Sequence, residues 1–411
     1  MGAGFFERLF QLLQHEGSWI PLAVVLSTAI TTALSIGFWL GRYFPKGNGP
    51  QPTDSIVGAL NAQIQVCTTH ASELEEKLDE ALAREAKNDK LHEAILDDES
   101  ELWRLHEPKP PAGYSIPINV SRPKIIVIAN NKGGVGKTTL TAGLAAYFEK
   151  KKKRVLLIDL DYQGSLTNWM IRSADIYIPP NQAYRLSLAN KLIDGTAKDH
   201  WQAEVLRNGQ NGHGLANAQL ITSDYTLTQF ETKLMLRWLR NGAEQDVRYN
   251  LAEILLGPYV QDKMDGFDIV LIDAPPRLTT GAIGALVAST HLVVPTILDP
   301  LSAETVGSFL RQAWALRGRL NPGLELAGVV GTMTPARPLG QDLGVPEQAA
   351  LGIVNRGIRE WQASTHVFNA DIQDIAAIKN CAGRENPYFS SGKARDMFDA
   401  FGDELGGRIS L

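Results

Sequence analysis

The stretch Asn130-Asn131-Lys132-Gly133-Gly134-Val135-Gly136-Lys137-Thr138-Thr139 decides the fold of this chain. It follows an apolar run, Ile125 to Ala129, and precedes a helix-compatible segment, Leu140 to Lys150. Glycines let successive backbone N–H groups approach a polyphosphate, and a helix start adds partial positive charge. A strand, a glycine-rich loop and a helix in this order therefore predict a nucleotide phosphate-binding loop.

Residue types within this loop predict individual roles. Lys137 would neutralise the β- and γ-phosphates, and the hydroxyl of Thr138 would hold Mg²⁺. The general pattern begins with a glycine where this chain has Asn131, and a second lysine, Lys132, enters at the start of the loop. The alternative, a plain surface turn, is disfavoured by the flanking strand and helix. The predicted cofactor-binding residues of the loop are Gly133, Gly134, Val135, Gly136, Lys137, Thr138 and Thr139.

Carboxylates follow two further apolar runs. Asp159 and Asp161 end the run that starts at Arg154, and Asp273 directly follows Ile269 to Ile272. Residues two apart on a strand share a face, so both carboxylates of the first run are expected to face the phosphates. Asp161 would orient a water or hold a metal-bound water, and Asp273 would be the second Mg²⁺-side element. A strand-end cap is the alternative for each residue alone.

The rest of the carboxyl-terminal part alternates strands with helices. Apolar runs from His291 to Ile297 and from Leu326 to Met333 are separated by an amphipathic helical pattern that ends at Leu320. Such alternation predicts an α/β fold with a parallel, doubly wound P-loop NTPase sheet and helices on both faces. The segment 172–266, between the two carboxylate regions, is either an ordinary variable region or a partner-binding insertion.

The amino-terminal part predicts a membrane anchor at residues 17–43. From Gly17 to Gly41, 25 consecutive residues carry no formal charge, whereas about 20 residues suffice to cross a bilayer. A cleaved signal peptide is disfavoured because the apolar run is long and only Arg8 precedes it as a basic residue. Residues 1–16 would form a short amphipathic segment and residues 44–53 a linker. The expected location is the inner (cytoplasmic) membrane, single-pass, with the carboxyl-terminal domain in the cytoplasm.

A helical spacer is predicted to follow, at residues 54–107. Apolar residues recur there at alternating spacings of four and three, which is typical of a coiled-coil seam. Residues 73–107 hold 13 acidic and 5 basic side chains, so a solvated single helix and a self-associating coil both stay open. Prolines mark a linker at 108–122, and the globular domain is predicted at 123–411.

Composition restricts the remaining classes of function. Of the net charge of −5, residues 1–120 carry −7 (9 basic, 16 acidic) and the remainder +2 (31 basic, 29 acidic). A nearly neutral domain gives no composition-level case for strong nucleic-acid binding. Two cysteines, Cys67 and Cys381, argue against a disulfide framework, and the eight histidines show no metal-ligand spacing.

The three motifs together resemble the deviant Walker A, or deviant phosphate-loop, ATPases of the ParA/MinD family, over about residues 124 to 407. The resemblance implies an ATP-sandwich homodimer with ATP and Mg²⁺ as cofactors. It also implies catalytic roles for Lys132, which would reach the phosphates of the partner subunit, for Lys137 in cis, and for Asp161. Thr138, Asp161 and Asp273 would serve the metal. The adenine pocket would lie near Thr332 to Arg337, with Pro335 as a contact.

The leading functional hypothesis is a membrane-anchored ATPase switch that recruits, positions or regulates an unidentified protein partner, with higher oligomers available through the spacer. One alternative is a DNA-binding, partition-type ATPase, with exposed arginines at Arg311, Arg317, Arg319, Arg356 and Arg359. A tyrosine autokinase is disfavoured because the last tyrosine is Tyr388 and one span is found. A scaffold that binds ATP without hydrolysis is disfavoured by Asp161.

Overall fold

The computed structural model divides the chain into two compact units, Met1–Asp97 and Asp98–Leu411. It describes scattered positions between 62 and 89, then 99–111 and 123–411 with gaps at 180, 183–187, 194–203, 207–213, 242–245, 257–265, 339–340, 360 and 362–365. The predicted amphipathic segment, membrane span and linker at residues 1–53 lie outside the described residues. Within the described part of the chain, no helix is both long and apolar enough to cross a membrane.

The first unit is helical at the positions that are described. Thr69 Oγ1 donates to the Gln65 carbonyl one turn earlier, at 2.9 Å, and Val66 is 58% exposed. These positions agree with the predicted spacer helix. Self-association of that helix stays a prediction.

The second unit is built on an eight-stranded sheet in the order β3-β4-β2-β5-β1-β6-β7-β8. Seven strands are parallel, and the two-residue strand β3 pairs antiparallel with β4 at one edge. The predicted parallel α/β fold is thereby confirmed. The strands are β1 (Lys124–Ile128), β2 (Val155–Asp159), β3 (Glu204–Val205), β4 (Ala218–Ile221), β5 (Ile269–Asp273), β6 (His291–Ile297), β7 (Glu325–Thr334) and β8 (Ile372–Gln373).

Helices cover both faces of the sheet, so the central strands are buried on both sides. Every residue of β2 and β5 is buried, which explains why these strands read as continuous apolar runs rather than as alternating patterns. The helices are α1 (Lys137–Lys150), α2 (Ser165–Ser173), α3 (Leu188–Ile193), α4 (Thr226–Asn241), α5 (Asn250–Leu256), α6 (Thr280–Ala288), α7 (Pro300–Leu320), α8 (Val345–Arg359), α9 (Ala376–Cys381) and α10 (Gly392–Arg408).

Strand register brings the three motifs to one edge of the sheet. Asp273 is the register partner of both Ile128 and Asp159, so β1, β2 and β5 end at the same level. Strand β1 lies between β5 and β6. After β1 the chain passes to β2, on the side of β5, and it later places β6 on the opposite side of β1, so the strand order reverses at β1. Ligands bind at such a reversal of strand order, outside the carboxyl ends of the strands.

The globular unit begins earlier in the chain than predicted. Residues 99–109, which the sequence assigned to the spacer and linker, pack on the domain through the buried side chains of Leu102 and Trp103. The guanidinium of Arg248 donates to the Trp103 carbonyl at 2.6 Å and to the Glu107 carbonyl at 3.2 Å. The structural boundary therefore lies near Asp98 rather than at residue 123.

The segment 172–266 is part of the architecture of this unit. Its strand β4 pairs with β2 along four residues, and its helices α3, α4 and α5 contact α6. An ordinary surface loop would not extend the central sheet. The segment therefore helps to position the site, which the sequence pattern did not indicate.

Candidate functional site

The phosphate-binding loop adopts a backbone that requires glycine. Gly134 and Gly136 have positive φ angles of 71° and 80°, a region that side-chain-bearing residues rarely occupy. Gly136 is also the residue that precedes helix α1, and no side chain caps that helix start. The first N–H groups of α1 are thus left for an external acceptor, which fits an anion such as a phosphate.

Contacts within the protein hold this loop in place. Lys137 Nζ donates to the carbonyls of Asn130 and Lys132 at 3.3 and 3.0 Å. Thr332 Oγ1 donates to the Val135 carbonyl at 2.8 Å, which ties the loop to β7. Burial lowers the pKa of Lys137, and the nearby carboxylates of Asp273 and Asp161 act in the opposite direction. The Lys137 amine is therefore within electrostatic range of Asp273 and Asp161, the two carboxylates that the sequence predicts to serve Mg²⁺.

Thr138 and Asp273, which the sequence predicts to serve Mg²⁺, are in contact. Thr138 Oγ1 donates to Asp273 Oδ2 at 2.7 Å, while Asp273 Oδ1 is buried and has no hydrogen-bond partner among the described residues. Burial raises the pKa of Asp273 well above its ordinary value, and the charge of Asp159 raises it further. A cation would relieve both effects. A hydroxyl and an unpartnered carboxylate oxygen are the hard oxygen ligands that suit Mg²⁺.

Asp159 does not face the phosphates, contrary to the prediction from strand alternation. Its Oδ2 accepts from the Thr167 backbone N–H at 2.8 Å and hydroxyl at 2.7 Å, and its Oδ1 accepts from the Asp161 N–H at 3.1 Å. Burial raises its pKa to about 7. Strand β2 ends at Asp159, so the two carboxylates are no longer related by the strand period. Asp159 fixes the following loop, and Asp161, partly exposed in that loop, remains the candidate for the water.

Lys132 is bound within its own chain. Its Nζ lies 2.6 Å from Ser302 Oγ, and Ser302 in turn donates to the carboxylate of Asp299. Burial works against ionisation of Asp299, but hydrogen bonds from Ser302 and the charge of Lys132 bring its pKa below the ordinary value. The neighbouring Asn131 donates to Gln312 Oε1 at 2.8 Å. The loop entrance is thereby fastened to helix α7.

The contact between Lys132 and helix α7 was not predicted from the sequence. A usable signal was present, because Asp299 and Pro300 follow the apolar run of β6 after Leu298, and such a pair is typical of a helix start. Asp299 does cap α7 by accepting from the Ser302 N–H. The sequence does not indicate that the same turn would receive Lys132.

A cavity beside the loop fits a nucleobase. It has a volume of about 310 Å³ and is lined mainly by apolar groups, including Leu140, Trp169, Met333 and Ile375. Thr332 and Met333, from the predicted adenine region, line it, whereas Pro335 does not. The segment after β8 also lines the cavity, with Asp374 and Lys379 among its residues.

Comparison with known proteins assigns the family. A family profile described as an AAA domain matches residues 123–326. The chromosome-partitioning ATPase Soj of Thermus thermophilus is 32% identical over 214 residues, which cover 52% of this chain and 71% of Soj. The chromosome partitioning protein ParA of Caulobacter vibrioides is 31% identical over 273 residues, which cover 64% of this chain and 90% of ParA. The chain belongs to the ParA/MinD family of P-loop ATPases.

Solved structures show that other proteins share this fold. Apo McdA of Cyanothece matches with a TM-score of 0.54 at 20% identity, over 69% of this chain and all of McdA. Cobyrinic acid a,c-diamide synthase of Mycobacterium smegmatis, with a bound ATP analogue and magnesium, matches with a TM-score of 0.51 at 24% identity, over 69% of this chain and 93% of the synthase. The ATP analogue and magnesium of the synthase are the ligand types that the sequence predicts for this chain.

Proposed function

We propose that this ParA/MinD-family protein is a membrane-anchored ATPase switch. It binds Mg²⁺-ATP, forms a sandwich homodimer around the nucleotides, and uses hydrolysis to end the interaction with a protein partner. The contact between Thr138 and Asp273 carries the proposal, because it places an unpartnered carboxylate oxygen and a hydroxyl at the end of a glycine loop. The apolar stretch from Gly17 to Gly41 supports an anchor at the inner membrane.

The residues of the site divide the chemistry between them. Lys137 and the N–H groups of the loop would bind the triphosphate, and Thr138 and Asp273 would hold Mg²⁺, which supplies charge neutralisation at the phosphates when bound. Asp161 would orient the attacking water. The bonds from Lys137 to the Lys132 carbonyl and from Thr332 to the Val135 carbonyl hold the loop before the nucleotide arrives, so little reorganisation is needed during the reaction.

Lys132 makes this a deviant Walker A site in our proposal. A lysine at the entrance of the loop lies at the edge of the site, where a partner subunit's phosphates are within its reach in a sandwich. Its amine contacts the Ser302 hydroxyl at 2.6 Å, a neutral group that a triphosphate would outcompete on charge. ATP-driven dimerisation would therefore transfer the Lys132 amine from Ser302 to the partner subunit's nucleotide.

A DNA-binding partition activity is the second candidate. Two relatives carry chromosome-partitioning names, and Arg311, Arg356 and Arg359 are exposed on helices α7 and α8. The other two arginines considered are used internally. Arg317 donates to the Leu324 carbonyl at 2.7 Å, and Arg319 pairs with Glu107 at 2.9 Å. DNA binding that requires ATP and weakens steeply with salt would support this candidate.

The main proposal is tested with the full chain in detergent and in liposomes. Phosphate release, dimer formation and membrane retention after carbonate washing are measured with ATP, with ADP and with a non-hydrolysable analogue. We expect dimers with ATP and the analogue only, and retention under every nucleotide condition. Monomers at saturating ATP would contradict the sandwich, and complete release from liposomes on washing would contradict the anchor.

A further inference from the structure

Helix α4 carries a single acidic residue, Glu231, together with one lysine and two arginines. The side chain of Glu231 is turned inward and is only 8% exposed. A buried carboxylate needs hydrogen bonds to offset the loss of hydration. The identity of its donors therefore indicates what the residue does.

Both donors lie at the start of helix α6. Glu231 Oε1 accepts from Thr279 Oγ1 at 2.6 Å and from the Gly281 N–H at 2.8 Å. Thr279 also accepts from the Ala282 N–H, at 3.3 Å, and so caps α6. A carboxylate from another element thus completes the capping of α6, at the helix end where negative charge is favourable.

This helix start is separated from Asp273 by residues 274–279, which we call the 274–279 segment. At its first residue, the Ala274 N–H donates to the Ile128 carbonyl at 3.2 Å. At its last residue, Thr279 is bound by Glu231. Arg277, between them, is exposed. The two ends therefore hold the segment, and one of them depends on Glu231.

The packing leaves little freedom at the Glu231 end. A Cβ added to Gly281 would lie 2.7 Å from Glu231 Oε1 and 3.0 Å from Ile193 Cδ1. Helices α3, α4 and α6 thus meet closely at this point. A small shift of α4 would be transmitted to the start of α6 because no free space absorbs it.

The same helix is also connected to the Asp161 loop. Ser223, two residues after β4 and three residues before α4, donates from its Oγ to the Asp161 carbonyl at 2.9 Å. Burial raises the pKa of Glu231, its hydrogen bonds to Thr279 and Gly281 lower it, and the charge of Asp161 raises it again. Helix α4 thus contacts the chain that follows Asp273, and the turn before α4 contacts the backbone of Asp161.

We propose that Glu231 is a positioning residue for the Mg²⁺ side of the site. From helix α4 it fixes the 274–279 segment, and it thereby holds Asp273 in the orientation that lets it meet Thr138. Glu231 itself touches neither nucleotide nor metal. This inference rests on the proposed function, because it assigns Asp273 to Mg²⁺.

The test compares three variants of the full chain. Glu231→Ala removes the acceptor, Glu231→Gln keeps an oxygen at Oε1, and Leu234→Ala, in the same helix and equally buried at 8%, is the control for destabilisation alone. Loss of the two hydrogen bonds should raise the Mg²⁺ concentration for half-maximal ATP hydrolysis about fivefold to tenfold in Glu231→Ala. Glu231→Gln should restore the wild-type value, and Leu234→Ala should lower the thermal midpoint without changing the Mg²⁺ dependence.

Hydrogen exchange at the Gly281 amide gives a readout that does not need turnover. We expect it to be about tenfold faster in Glu231→Ala than in the wild type or Glu231→Gln, since the amide loses its acceptor. An unchanged Gly281 amide, or a Mg²⁺ dependence equal to that of Leu234→Ala, would overturn the positioning role. If Glu231→Ala does not fold, Thr279→Val removes one of the two donors, and the same shift in Mg²⁺ dependence must appear for the proposal to stand. A wild type that hydrolyses no ATP would refute the proposed function instead, and the exchange result would still decide the role of Glu231.

Discussion

Lys132 Nζ lies 2.6 Å from Ser302 Oγ of the same chain. The two residues are separated by 170 positions and join the loop entrance to the first turn of helix α7. In this arrangement the amine is held within the chain by a neutral hydroxyl, beside the carboxylate of Asp299. A lysine that acts on a partner subunit must leave this contact, so the contact and the trans role can be tested separately.

Lys132→Ala should lower turnover and leave nucleotide binding in place. If the amine acts in trans on transition-state charge, kcat for ATP hydrolysis should fall about 10³-fold, as for other cationic fingers. Affinity for a fluorescent ATP analogue should change less than about threefold, because ground-state binding uses Lys137. Lys191→Ala, at an exposed lysine of α3, is the matched control. Unchanged turnover in Lys132→Ala would remove the trans mechanism.

Ser302→Ala should favour dimerisation by removing the contact that keeps Lys132 within its own chain. A hydrogen bond to a charged group contributes about 1.5 to 3 kcal/mol at most, so the ATP concentration that gives half dimer should fall several-fold. Sedimentation velocity at a series of ATP concentrations measures this. Ser308→Ala, at an exposed serine of the same helix, should leave the midpoint where it is. A higher midpoint for Ser302→Ala would mean that the contact supports the dimer instead.

Thr138→Ala should weaken Mg²⁺ binding, so that ATP hydrolysis requires a higher Mg²⁺ concentration. The variant removes a hydroxyl that contacts Asp273 at 2.7 Å and that we assign to Mg²⁺. We expect at least about a tenfold rise in half-saturating Mg²⁺, and complete loss of wild-type turnover when EDTA removes the metal. Thr228→Ala, at an exposed threonine of α4, controls for the loss of a hydroxyl elsewhere. Equal Mg²⁺ dependence in both variants would exclude Thr138 as a ligand.

Arg248→Ala should both destabilise the domain and release residues 99–109. Arg248 and Asp246 form a buried ion pair at 2.6 Å, with side chains only 1% and 2% exposed, and Asp246 also accepts from the Lys109 N–H at 3.0 Å. Removing one partner leaves a buried charge, which costs about 3 to 5 kcal/mol. Urea unfolding measures the stability, and tryptic cleavage after Arg104 measures the release. Arg237→Ala, exposed on α4, should change neither. Slow cleavage at Arg104 in Arg248→Ala would show that residues 99–109 are held by other contacts.

The lowered pKa of His291 predicts that the folded domain loses stability in mild acid. Burial, with the like charge of Lys124, lowers its pKa from 6.5 to about 4. Between pH 6.5 and pH 4, His291 is therefore protonated in the unfolded chain but neutral in the folded chain. The contribution of this group to the free energy of unfolding is complete above pH 6.5 and is lost as the pH falls towards 4. At pH 5 the loss from this group should be about 2 kcal/mol. Glu325 lies 3.7 Å away but is 65% exposed, so it offsets little of the burial.

The measurement is urea unfolding at pH 7 and pH 5 for the wild type and His291→Gln. The variant should lose less stability than the wild type between these values, because glutamine does not titrate. Glu325→Gln serves as a control and should leave the histidine-dependent part in place. An equal pH dependence in wild type and His291→Gln would contradict the lowered pKa.

The site residues that could be predicted from the sequence are those whose role is indicated by the residues next to them in the chain. The loop around Gly134 and Gly136 follows from glycine positions between a strand and a helix, and Asp273 follows from its place after an apolar run. Asp159 was placed incorrectly, because strand alternation was extended to Asp161, two residues beyond the end of the strand. The strand ends at Asp159, and the contact with Thr167 then decides its orientation.

The sequence by itself determined the strand-loop-helix phosphate site and the family, because short-range patterns of glycine, lysine and apolar runs encode them. Only the tertiary structure decided that Lys132 rests on Ser302, that residues 99–109 belong to the domain, and that Glu231 reaches Thr279. The physical reason is that each of these contacts joins elements far apart in the chain. Such contacts depend on strand order and helix packing, which local periodicity does not specify.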